Sequence, residues 1–146
     1  MADQLMRLVP GVWAGVLLCI ALIATPAPFA TLAAPDAGRV VGWIFAREAP
    51  TSLALGLILL LWERRAARLR ADQGQGSQLS AEVLLALGAL FCTVAGYYGL
   101  QPLMAEARAG QGRLSFGQLH AASLGLFGLK LLLVMVLAWR VGTKAG

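Results

Sequence analysis

Charge is what this 146-residue chain has least of: 13% of its residues are Asp, Glu, Lys or Arg, about half the ~25% of an ordinary soluble domain. Acidic residues are the scarcer sign, with 7 Asp+Glu against 12 Lys+Arg and a formal net charge of +5. There is one histidine and there are two cysteines, so a histidine-rich metal site, an intrachain bis-histidine haem and a disulfide framework are all excluded. A Walker loop, a dinucleotide fingerprint, an H-E-x-x-H motif and a nucleophile elbow are also missing, which leaves hydrolytic or metal-dependent catalysis little to work with. The sequence therefore reads as a non-enzyme. What it has is apolar residues, 59% of the chain, and a mean hydropathy of +0.74. A soluble domain of this size cannot bury so much apolar surface, so the chain reads as a single membrane domain.

The charge-free intervals count the crossings. Arg7 and Asp36 are separated by 28 uncharged residues and Glu82 and Glu106 by 23, each more than the ~20 needed to cross the hydrocarbon. Leu114–Trp139 is 26 residues long and is interrupted only by Lys130. The remaining window, Ala49–Trp62, has 14 residues, too few for a ~30 Å core at ~1.5 Å per residue. Trp43 and Trp62 lie 19 residues apart and suit the two interfaces, which favours one continuous span with Arg47 and Glu48 in its outer part. The alternative is an interfacial helix over Ala37–Glu48 followed by a short span opened by Pro50. The expected architecture is all-α, an antiparallel four-transmembrane-helix bundle, with spans at about 9–32, 43–62, 82–103 and 116–139 and a loop over 63–81.

Four crossings put both termini on one side. Arg7, the Arg64, Arg65, Arg68 and Arg70 group, Arg140 and Lys144 fall there, and the positive-inside rule makes that side the cytoplasm of a bacterial-type inner membrane. The net positive charge then reads as topology signal and affinity for anionic lipid, with no nucleic-acid partner. The N-terminal apolar run reaches Ala34 and is too long for a cleaved signal peptide, so it is expected to remain as a span.

Local signals fix several element ends. Val9-Pro10 predicts the start of the first helix, with proline at its first position, and Pro26 and Pro28 predict a kink near its outer end, with the carbonyls of Leu22 and Ala24 freed to line a polar vestibule. Glu63–Arg70 should continue the second helix out of the bilayer, ADQGQGSQL (Ala71–Leu79) reads as a linker, and Ser80 caps the third helix with Glu82 in its first turn. Ser115-Phe116-Gly117-Gln118 has the form of a capping box for the fourth helix. Small residues at four-residue spacing, Gly11/Gly15, Gly88/Cys92/Gly96 and Gly117/Ala121/Gly125, predict close helix approach.

Four residues stand out as a candidate ligand or polar site: His120, Ser123, Lys130 and Pro26. His120 sits one turn into the fourth helix beside Ser123, with Phe116 and Phe127 on a similar face, and can ligate haem or a metal; its structural alternative is a hydrogen-bonded interfacial histidine. Lys130 is a charge near the middle of a span, where insertion costs roughly 2.5–3.5 kcal/mol. Thr93, Tyr97 and backbone carbonyls of the third helix are its candidate partners. Cys19 and Cys92 fall near their helix midpoints, where they read as small hydrophobes or, with Met104 or Met135, as soft copper ligands.

Trp13-Ala14-Gly15-Val16, Thr25-Pro26-Ala27-Pro28-Phe29, Gly38-Arg39-Val40-Val41-Gly42-Trp43-Ile44-Phe45 and Phe116-Gly117-Gln118-Leu119-His120-Ala121-Ala122-Ser123 together resemble a small four-helix membrane family of uncharacterised function. Its animal members include a transmembrane protein associated with cisplatin resistance. The family is distantly similar to copper-resistance D-type membrane domains, some relatives of which bind haem through more than one histidine. Gly15, Pro26, Phe29, Gly38, Phe45, His120 and Ser123 match the pattern, and the resemblance assigns none of them a catalytic role. The expected function is an accessory or assembly component of a membrane complex, or small-solute or metal handling, with no resident cofactor. The expected partners are lipid, other membrane subunits or further copies of the chain. The alternatives are a redox domain carrying haem b or copper at His120, and a small oligomeric transporter.

Overall fold

The computed structural model describes residues 2–143, with side chains from Gln4; Lys144, counted above among the cytoplasmic charges, lies outside them. Among the described residues there are helices and connecting turns and no strands. Six α-helices, α1 (Ala2–Cys19), α2 (Pro26–Thr31), α3 (Ala34–Asp72), α4 (Ala81–Thr93), α5 (Leu100–Arg108) and α6 (Phe116–Thr143), are joined in two places by π-helical segments, Ile20–Ala24 and Val94–Gly99. Merged across those segments they give four rods, Gln4–Thr31, Ala34–Asp72, Ala81–Arg108 and Phe116–Thr143, each long and apolar enough to cross a membrane.

Each end has a local cause. The Ser80 hydroxyl accepts the Val83 amide at 3.4 Å. The Ser115 hydroxyl accepts the Gln118 amide at 3.2 Å while the Gln118 side chain accepts the Ser115 amide at 3.0 Å, so the capping box forms as the sequence predicted. Gly74 and Gly110 follow α3 and α5 with φ of 73° and 71°, the left-handed conformation that stops a helix and that a Cβ disfavours. The first helix departs from expectation: it begins at Ala2 and carries Pro10 inside it. One missing amide removes one hydrogen bond, and the rest of the N-terminal segment, Ala2 to Val9, continues the helix around it.

Around Pro26 the π segment closes with the Thr25 amide on the Ile20 carbonyl at 2.9 Å, and Pro26 then opens α2. The site where a kink was predicted is therefore a wide π turn followed by a proline, a usual pairing where the i−4 ladder fails. Helix α3 is unbroken through Pro50, so Ala37–Glu48 and the following apolar stretch are one helix. At 39 residues it is about 58 Å long, and its last turns carry Arg64, Arg65 and Arg68 exposed.

The rods form a square in which α1 packs on α6 and α3, α4 packs on α6 and α3, and the pairs α1/α4 and α3/α6 face each other diagonally. In the half nearer the termini, Trp13, Leu17, Leu59, Ala86, Ala89, Val134, Leu137 and Val141 fill the centre. In a bilayer such packing stabilises through close contact and dispersion rather than through exclusion of water. Gly56 permits it, since a Cβ there would stand 2.7 Å from Leu90 Cδ2 and 3.1 Å from the Trp13 ring. Of the small-residue stripes, only that of the third rod is used: Gly88 and Gly96 lie against Leu133 and Leu126, whereas Gly11, Gly15 and Gly125 have open space beside them and Gly117 meets only its own cap serine. At this end Arg140 Nε also reaches the buried Glu82 carboxylate at 2.8 Å, tying α6 to α4.

Candidate functional site: a half-bundle vestibule ending on a buried ion pair

The other half of the bundle is hollow. A cavity of about 910 Å³ lies among the far ends of the four rods, away from the termini, and descends to Glu48 and Lys130. Walls come from every rod: Thr25 and Phe29 from the kinked first, Phe45 from α3, Cys92, Thr93, Tyr97 and Met104 from the third, and Phe116, His120, Ser123 and Phe127 from α6. Both π segments border it through Ala21, Gly96 and Tyr97, and a π turn widens a helix locally. The hollow thus sits where the helices are least regular.

Its floor is an ion pair across the diagonal. Lys130 Nζ lies 2.6 Å from Glu48 Oε1, with the two side chains 4% and 3% exposed. The Ser52 hydroxyl donates to the same Glu48 oxygen, and the Trp13 indole N–H donates to Ser52 Oγ at 2.9 Å. This chain, Trp13 to Ser52 to Glu48 to Lys130, links α1, α3 and α6 and lies directly on the packed half. The Phe127 ring stands 5.0 Å from Lys130 Nζ and meets Phe45 edge-on at 5.4 Å, adding a cation–π contact to the charge pair. A buried ammonium is tolerated only when so compensated.

Lys130 was expected to find Thr93 or Tyr97. Thr93 instead donates back to the Ala89 carbonyl at 2.9 Å, and the partner is Glu48, read from sequence as part of the outer edge of span two. Counted from the observed helix starts, Glu48 is fourteen residues into α3 and Lys130 fourteen into α6, so both lie about 21 Å from the same end of the bundle.

His120, Ser123 and Lys130 all line the cavity from α6, although Lys130 lies ten residues beyond His120, about 15 Å deeper along the helix. His120 is exposed at the mouth and stacks on Phe116, centroids 5.6 Å apart, while Arg108 lies over the other ring system at 4.6 Å from the Phe116 centroid. The Ser123 hydroxyl points to the Gly96 carbonyl at 3.5 Å. Pro26 is not on the cavity wall; it is exposed, and its neighbour Thr25 lines the space instead. Thr25 Oγ1 is buried and has no hydrogen-bond partner.

The proposed copper donors are not brought together. Cys92 is buried on the cavity wall, whereas Cys19 is exposed on a rod diagonal to α4. Among the described residues no three His, Cys, Asp or Glu side chains gather as a metal-holding group. A haem would find one histidine at the mouth, so the residues present do not fit a bis-histidine centre within one chain.

The charged groups on the cavity wall are Arg39, Arg108, Lys130 and Glu48. Arg39 also pairs with Asp36 at 2.5 Å on the exposed start of α3. The site is thus an aromatic-lined recess with a basic mouth and a neutral, hydrogen-bonded floor, suited to holding a small molecule.

Comparison with known proteins gives one match: the family model described as a domain of unknown function, DUF4149, covers residues 8–113. The match takes in the first three rods and ends before α6, so Glu48 lies within it and Lys130, His120 and Ser123 lie beyond it. No curated protein and no solved structure matches the chain.

Proposed function

The chain belongs to the DUF4149 family, and from its own geometry we propose that it is a small-solute-binding membrane protein without catalytic activity, whose site is the half-bundle vestibule. The observation that carries this reading is the asymmetry of the bundle: one half is packed around Trp13 and Leu137, and the other is a cavity of about 910 Å³. A bundle serving only as a structural spacer gains nothing from such a hollow, because each unfilled volume forfeits packing contacts. The cavity volume is in the range of small-molecule sites.

The side of entry follows from charge. Arg7, the arginines at the end of α3 and Arg140 lie at the termini end, which the positive-inside rule assigns to the cytoplasm of a bacterial-type inner membrane, so the vestibule opens outward. Binding, rather than passage, is what a single bundle in this state supports, since the packed half closes the path below Glu48.

Cys92 offers a direct test. In a Cys19→Ala background it is the one thiol left, and it lies on the vestibule wall. In oriented vesicles, a small membrane-impermeant methanethiosulfonate added from the outer side should modify it within minutes, and a bulky maleimide-dextran should not. Modification from the terminal side alone, or none by the small reagent, would refute the reading.

A further inference from the structure

The nature of the occupant follows from how charge is distributed between mouth and floor; this step rests on the vestibule reading above. Arg39 and Arg108 line the upper cavity, and Glu48 is the one carboxylate on its wall. A cation entering would pass two guanidinium groups and then face Lys130. Arg39 is paired with Asp36 and Lys130 with Glu48, so Arg108 is left to draw an anion in, and the anion reaches Lys130 only by displacing Glu48. Among the described residues Glu48 meets Lys130 from α6 and the Ser52 hydroxyl from its own helix; the Trp13 N–H of α1 donates to that hydroxyl, and Cys92 of α4 lies on the same cavity wall beside Lys130.

We infer that the vestibule takes an organic anion, an acid group on an apolar body, which replaces Glu48 as the partner of Lys130 while Glu48 takes up one proton. The exchange balances. One Nζ–H contact to Glu48 Oε1 breaks, one Nζ–H contact to the acid group forms, and a buffer acid in the bulk gives one proton to the Glu48 carboxylate and is left as its conjugate base; Glu48 still accepts the Ser52 hydroxyl. The floor with its occupant is neutral before and after; without the proton it would carry an unpaired charge in a low-dielectric site, which is strongly disfavoured. The apolar body lies against Phe45, Tyr97 and Phe127, and Thr25 Oγ1, buried without a partner, gives it one hydroxyl to bond. The acid group can belong to a free solute or to a lipid.

The test uses the full chain in nanodiscs and three probes: 2-naphthalenesulfonate, its neutral analogue 2-naphthalenesulfonamide, and phosphatidylglycerol added to a zwitterionic bilayer. Titration calorimetry in two buffers of different ionisation heat should show the sulfonate bound at least about tenfold more tightly than the sulfonamide, with about one proton taken up per ligand. By linkage, uptake of a proton on binding makes its affinity fall as pH rises. Glu48→Gln should bind the sulfonate with no proton uptake and no pH dependence. Should that variant fail to fold, Arg108→Gln at the exposed mouth should still weaken the sulfonate selectively. Competition by phosphatidylglycerol assigns the acid to a lipid, and its absence assigns it to a free solute. Equal affinity for sulfonate and sulfonamide, or binding without proton uptake in the native chain, overturns the inference and leaves the vestibule standing. If neither naphthalene binds and Cys92 is also unreactive from outside, the vestibule reading fails with it.

Discussion

Removing one partner of the Glu48–Lys130 pair should cost far more than removing both. At 2.6 Å and an effective permittivity of roughly 20, the direct attraction is about 6 kcal/mol. Much of that is offset by the desolvation of two groups whose side chains are 4% and 3% exposed. The sign is therefore decided by what is left behind: Glu48→Gln strands an ammonium against Phe127, and Lys130→Met strands a carboxylate that retains only Ser52. Each single change should destabilise the bundle by about 3–5 kcal/mol, the usual cost of breaking a buried pair from one side. The double variant Glu48→Gln/Lys130→Met should recover most of it, being nearly neutral or better, because no uncompensated charge remains. Reversible unfolding in mixed micelles, followed by far-ultraviolet circular dichroism with increasing SDS fraction, gives the four free energies of the cycle. Single variants each costing under about 1 kcal/mol, with a double variant at their sum, would refute the claim that the pair is a compensated unit.

Gly56→Ala places a methyl 2.7 Å from Leu90 Cδ2 and 3.1 Å from the Trp13 ring, and the same unfolding assay should register a loss of about 1–3 kcal/mol from overpacking. Gly15→Ala, with open space beside it, should be close to neutral, and an equal loss at both positions would contradict the packing described. A cysteine placed at Gln75 in the chain lacking Cys19 and Cys92 should be labelled only from the cytoplasm; labelling from outside would invert the topology.

How far the sequence led depends on whether the governing interaction was local. The Ser115–Gln118 box, the Ser80 cap and the continuation of α3 through Arg70 are set by residues within a turn of each other, and all were legible. So were the four apolar rods: three follow from the length of charge-free runs, and the second, whose run was too short, from the spacing of Trp43 and Trp62. The start of the first helix was misjudged because a proline is compatible with both a first turn and an interior position, and only the surrounding chain decides. The floor of the site was half legible. Lys130 announced itself as a charge in the middle of a span, and His120 and Ser123 were read as a separate group nearer the outer interface. Glu48 was placed in the outer part of span two because that span was bounded by Trp43 and Trp62; its depth emerged only when α3 proved continuous from Ala34. An outer vestibule was legible from Pro26 and Pro28, but the two π segments that border it, and the unpartnered Thr25 hydroxyl, have no local sequence signal. The copper idea failed for a topological reason, since Cys19 and Cys92 sit on rods that face each other diagonally, with Cys19 exposed.

One half of this bundle should admit water and the other should not. Hydroxyl-radical footprinting of the chain in nanodiscs reads this residue by residue, because oxidation reports water beside a side chain. The account predicts that Tyr97 and Phe127, on the cavity wall, are oxidised at rates well above that of Trp13, which is 1% exposed in the packed half. Tyr97 and Phe127 as protected as Trp13 would contradict it.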